Sequence, residues 1–239
     1  KLNTFLTDSF KNQVTLKEVV LNISQRIPQQ SSQELFDKWN DIYDYNQKLT
    51  DSLKITVIGI DKNFDDNSKV ERDSAMVINF KNSIKEMKLE NEKFYGLFGY
   101  FHVLQNITEN GKETFASELK KSNIKTTSFV SYTIDSEIYL PKISQFPTPE
   151  NEKVDWINAD GPLMLVKGIN DLKELSKPES ITLFKLNSKN SPYLKSQNLI
   201  TVKSRAFGEN IVPEEGTFTT DYFQYVFLLR NSNALTKLK

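Results

Sequence analysis

Two apolar, β-rich runs constrain this chain more than anything else in it. KITVIGID spans residues 54–61 and KFYGLFGYFH spans residues 93–102. The first has no polar alternation inside it, a pattern that suits a strand buried on both faces, as in a parallel sheet. Between them lies VERDSAMVINFKNSIKEMK, where Val70, Met76, Phe80, Ile84 and Met87 recur at helical spacing. Strand, helix and strand within about 50 residues read as a crossover unit, which forces its two strands parallel.

The rest of the chain extends that pattern. Residues 13–26 and 31–49 read as helices, the second with Ser32 as N-cap and Leu35, Trp39, Ile42, Tyr45 and Leu49 on its core face. A short helix is predicted over 112–122, and strands over 124–134, 179–188 and 221–232, the last apolar enough to be central. ADGPLMLVKG reads as a short strand or turn, and the stretch with Pro141, Pro147 and Pro149 as loop or edge. No repeat or low-complexity linker divides the chain. The expectation is one α/β domain over 1–239, three layers with a largely parallel central sheet flanked by helices. Its length of 239 residues is enough to bury a sizeable core.

In an open α/β sheet, ligands bind outside the carboxyl ends of the strands. Asp61 ends the first apolar run, and His102, the only histidine, ends the second. Parallel neighbours would place both at one rim, a few spacings of about 4.8 Å apart. Arg72, with Glu71, opens the intervening helix at the same rim, and Asp135 follows the third strand. His102, Asp61 and Arg72 are therefore the candidate catalytic residues. Each has an ordinary alternative: a hydrogen-bonded rim histidine, a turn-capping aspartate and a surface ion pair.

Several chemistries are excluded by what is missing. There is no cysteine, hence no disulfide, thiolate nucleophile or thiolate zinc site. No G-x-S-x-G, P-loop or G-x-G-x-x-G occurs in a suitable context. One histidine cannot form HExxH. DKNFDDNSKVER starts like a calcium loop but carries Asp66 where glycine is required and Arg72 where the bidentate acid belongs. No metal or cofactor is expected from motifs. Thirty-one basic residues balance thirty-one acidic ones, so no basic footprint draws nucleic acid. No run reaches the roughly 20 apolar residues of a membrane span. The chain starts at Lys1 without methionine and reads as a processed or trimmed product, from which an export signal could have been lost. Asn22-Ile-Ser and Asn106-Ile-Thr fit the glycosylation sequon, frequent by chance in so Asn-rich a chain.

Two segments carry a family resemblance. FDKWNDIYDYNQKLTDSLKITVIGIDK resembles a helix of Trp and Asn followed by a strand ending in Gly-x-Asp. ERDSAMVINFKNSIKEMKLENEKFYGLFGYFHVLQN resembles an Arg-Asp-x-x-Met-x-x-Asn helix followed by a strand with a His-Asn-x-His type tip. Both are similar to the erythromycin esterase-like family, part of a wider group that includes haem-binding iron-uptake proteins. On this match Arg72, Asp73, Met76 and Asn79 fall on the helix motif and His102 on the last histidine. Gly99 stands at the earlier histidine. The family's Gly-Glu-x-x-His strand, source of its presumed general base, has no counterpart. The chain thus resembles a C-terminal portion of such a protein, or a relative that lost the chemistry.

The resemblance implies a hydrolase acting on an ester-type small molecule, active or degraded. There His102 positions water or stabilises an oxyanion, Asp61 orients the imidazole, and Arg72 holds a carboxylate or oxyanion. Met76 and Asn79 lie further along the helix and are expected to serve packing. Two other readings stay open: a non-catalytic interaction module, and a haem or metal binder using His102 with help from Tyr95, Tyr100 or a second chain.

Overall fold

The computed structural model describes residues 1–63, 65–142, 147–205 and 210–239. The elements are α1 (Leu2–Thr7), α2 (Gln13–Ser24), α3 (Gln33–Asn46), α4 (Arg72–Met87), α5 (Phe115–Lys121), β1 (Phe129–Ile134), β2 (Ile138–Tyr139), β3 (Lys153–Val154), β4 (Met164–Val166), α6 (Ile169–Glu174), β5 (Ile181–Lys185), β6 (Val202–Ser204), α7 (Thr219–Tyr222) and β7 (Tyr225–Arg230). They fall into two compact units, each discontinuous in sequence. The first holds residues 1–58, 137–155 and 233–239, the second 59–136 and 156–232.

In the first unit, α1, α2 and α3 bury Phe5, Leu6, Leu16, Val20, Leu35 and Tyr43. Helix starts follow the side-chain chemistry. The Asn12 side chain accepts from the Thr15 N–H at 3.0 Å, and Ser32 Oγ accepts from the Leu35 N–H at 3.1 Å, the cap expected from sequence. Tyr43, rather than the expected Tyr45, turns inward; Tyr45 is 54% exposed. Strands β2 and β3 form a short antiparallel pair in the same unit.

The second unit is built around a three-stranded sheet in the order β1-β7-β5. β1 runs parallel to β7, and β5 runs antiparallel to it. Val130, Tyr132, Ile134, Val226 and Leu228 project from one face into the core with Leu172, Leu186 and Phe223. β7 is central, as its apolar sequence suggests. β4 and β6 form a separate antiparallel pair.

This corrects the expected architecture. A three-layer domain with a largely parallel central sheet does not form: strand makes up 14% of the described residues and helix 34%, giving a mixed α/β protein with small, mostly antiparallel sheets. The strand–helix–strand unit fails because neither apolar run becomes a strand. Around residues 55–57 the place of a neighbouring strand is taken by amides. Asn46 Oδ1 accepts from the Ile55 N–H at 2.8 Å and its Nδ2 donates to the Ile55 carbonyl at 3.0 Å, while Asn3 does the same for Val57 at 2.8 Å each way. Over residues 93–98 no backbone hydrogen bond forms among the described residues. Strand propensity cannot supply a ladder without a second backbone.

Candidate functional site

The N-terminus of α4 organises the candidate site. Glu71 precedes it without a side-chain cap, so Arg72 and Asp73 occupy the first helical positions. A carboxylate there meets the positive helix end favourably, whereas a guanidinium there needs a counter-charge.

Arg72 finds one in Asp61. Its Nε donates to Oδ1 at 2.8 Å and its Nη2 to Oδ2 at 2.7 Å, a bidentate fork. That hydrogen bonding holds the guanidinium above its ordinary pKa, with the Asp73 charge adding to it. The pair is open to water, with 45% of the arginine side chain and 35% of the aspartate exposed. Lys62 N–H also donates to Asp61 Oδ1 at 2.8 Å.

Asp73 takes the histidine. His102 Nδ1 lies 2.6 Å from Asp73 Oδ1, with only 18% and 15% of the two side chains exposed. Asp73 Oδ2 accepts from the Phe115 N–H at 2.9 Å. One carboxylate thus ties the short 3-10 turn Tyr100–Val103 to the first residue of α5. α5 is itself fixed by a capping box, in which Thr114 Oγ1 accepts from the Ser117 N–H at 3.0 Å and the Thr114 N–H donates to Ser117 Oγ at 2.9 Å. Ser74 Oγ adds a hydrogen bond to Glu118 Oε1 at 2.5 Å. The imidazole is therefore held by a frame of three elements and still reaches solvent.

The structure pairs the expected residues differently. Asp61 holds Arg72, and the imidazole is oriented by Asp73. Sequence reasoning matched Asp73 to a family motif without giving it a role in the site. The available signal was its adjacency to Arg72: consecutive helical residues project about 100° apart, so they engage different partners. Asp135 is engaged elsewhere, by Lys173 at 3.0 Å and Arg230 at 3.6 Å. Met76 is buried at 3% exposure, and Asn79 Nδ2 donates to the Ile60 carbonyl at 3.1 Å, both serving packing. A Cβ at Gly99 would lie 3.6 Å from His102 Cδ2, so that glycine sits directly against the ring.

Among the described residues, no group of three or more His, Asp or Glu side chains is arranged to hold a metal ion. Tyr100 does not fit as a second iron donor beside His102. It is partly buried, with its hydroxyl 3.0 Å from that of Tyr132, and loss of solvent around the hydroxyl pushes its pKa upward. Tyr132 in turn donates to the Leu199 carbonyl. A separate cavity of about 620 Å3, lined among others by Leu172, Phe184 and Tyr193, contains none of the expected site residues. No helix among the described residues is long and apolar enough to cross a membrane. No protein-family model, curated protein or solved structure matches the chain.

Proposed function

We propose that the second unit carries a hydrolase-like acid–base site, similar to that of the erythromycin esterase-like family, acting on an ester-type small molecule through His102. The observation that supports this reading is the 2.6 Å contact between His102 Nδ1 and Asp73. An ionised carboxylate only accepts, so a neutral imidazole bonded to it carries its proton on Nδ1 and leaves the Nε2 lone pair open. Such a ring can take a proton from water as the water oxygen attacks an ester carbonyl. It then returns that proton to the departing alkoxide. Arg72, held by Asp61, contributes positive charge from the neighbouring residue for a substrate carboxylate or developing oxyanion.

A generic ester such as p-nitrophenyl acetate provides the test. His102→Ala is expected to lower turnover by about 10²-fold or more. Asp73→Asn is expected to lower kcat with little change in KM, because it disturbs the tautomer and orientation of the base without touching substrate. Turnover unchanged in His102→Ala would rule the reading out.

A further inference from the structure

Residues 93–98, Lys-Phe-Tyr-Gly-Leu-Phe, belong to no helix or strand, and their backbone donors and acceptors bond to nothing else among the described residues. The side chains alternate as in a strand. Phe94 packs edge-on against Phe80 at 5.1 Å between ring centroids, and Phe98 tilts against Phe115 at 4.9 Å. Tyr95 and Leu97 point away and are 92% and 66% exposed. The Phe94 and Phe98 rings thus seat the segment on α4 and α5, while Tyr95, Leu97 and the unpaired backbone groups are left open. Such an edge is a template for another strand.

The sequence of this edge says which strand fits. Phe94-Tyr95-Gly96-Leu97-Phe98 reads nearly the same in both directions: aromatic, apolar, glycine, apolar, aromatic. An isologous contact needs a self-complementary surface. Antiparallel pairing about Gly96 places Phe94 opposite Phe98 and Tyr95 opposite Leu97 of the other copy. Aromatic and aliphatic pairs of this kind favour pairing. Lys93 then faces Gly99, so no like charges oppose each other. The Phe98 ring lies over Gly96, where a Cβ would collide with it.

We propose that residues 93–98 form a two-fold, antiparallel strand pair with a second copy of this chain. Phe101, 49% exposed, follows the segment closely in sequence. A contact between two short segments is small for a specific interface, so the dimer dissociates on dilution. The proposal does not depend on the chemistry assigned to His102.

Sedimentation of the full chain over a concentration series is expected to show a reversible monomer–dimer equilibrium. The double variant Tyr95→Lys with Leu97→Lys sets two pairs of lysines opposite each other and should weaken the dimer at least about tenfold. Its melting temperature should be unchanged, since both side chains are exposed. Mixing it with Tyr95→Glu/Leu97→Glu should restore a dimer of one copy of each. A chain that stays monomeric throughout, a dimer indifferent to the lysines, or a mixture that fails to pair would each overturn the proposal.

Discussion

At the start of α4, two adjacent residues of opposite charge take different partners, and the chemistry of the site depends on that division. Arg72 and Asp61 form an exposed fork, worth under about 1 kcal/mol to the fold. Asp73 is enclosed and satisfied twice, by an imidazole and a main-chain N–H. Asparagine does comparable work in the first unit. Asn46 is fully buried, bonding both main-chain groups of Ile55 and donating to the Leu6 carbonyl at 3.2 Å. Asn46→Ala leaves those groups without a partner and should destabilise the fold by about 1–3 kcal/mol, read from chemical denaturation. A change below the error of that measurement would show that water replaces the amide at no cost.

Elements show where sequence was informative and where it was not. Helices α2 to α5 were legible because the evidence for them is local, whereas the short α1, α6 and α7 were not foreseen. Ser32 caps α3, and the apolar spacing around Met76 and Phe80 marks α4 to within two residues at each end. β7 was legible too, since a strand apolar on both faces belongs in the middle of a sheet. The runs at 54–61 and 93–102 were misread because a strand is defined by its neighbour, and no window of sequence contains the neighbour. Asp73 escaped for a related reason: which carboxylate meets the one histidine is decided by three-dimensional placement. α6 illustrates an element held by charge at the ends of the parallel pair. Lys173 donates to Asp135, which follows β1, and to Asp160, each at 3.0 Å, while Arg230 at the end of β7 donates to the Lys173 and Ser176 carbonyls.

The hydrogen bonds to Asp160 and Asp135 raise the Lys173 pKa above the ordinary lysine value of about 10.4. A raised cationic pKa gives stability that is complete below the unfolded value and is lost as pH climbs through the folded one. With about a third of the side chain exposed, the amount is under about 1 kcal/mol. The stability gap between the wild type and Lys173→Met should therefore close as pH rises past the ordinary lysine value of about 10.4 and through the higher folded one. A gap that stays constant across that range would show that the ammonium charge is not what holds α6.

At the scale of the whole molecule, the balance of charge leaves little long-range field, with thirty-one cationic and thirty-one acidic residues. Specific short contacts therefore carry recognition. The two units differ in how they are made. The first closes around a small helical core, with side-chain amides standing in for a ladder beside residues 55–57. The second has a larger core under its sheet and places the His102 frame where α4, α5 and a 3-10 turn converge. The apolar runs of this chain thus do not complete a central sheet; one is satisfied by asparagines and the other is left open on the surface.

The dyad itself can be observed without a substrate. Because His102 is the only imidazole, a long-range 1H–15N correlation spectrum contains one ring and needs no assignment. At a pH where the ring is neutral, the expected result is the tautomer with its proton on Nδ1 and Nε2 bare, changing in the Asp73→Asn variant. A neutral ring protonated on Nε2, or a spectrum that Asp73→Asn leaves unaltered, would contradict the proposed acid–base site at its base.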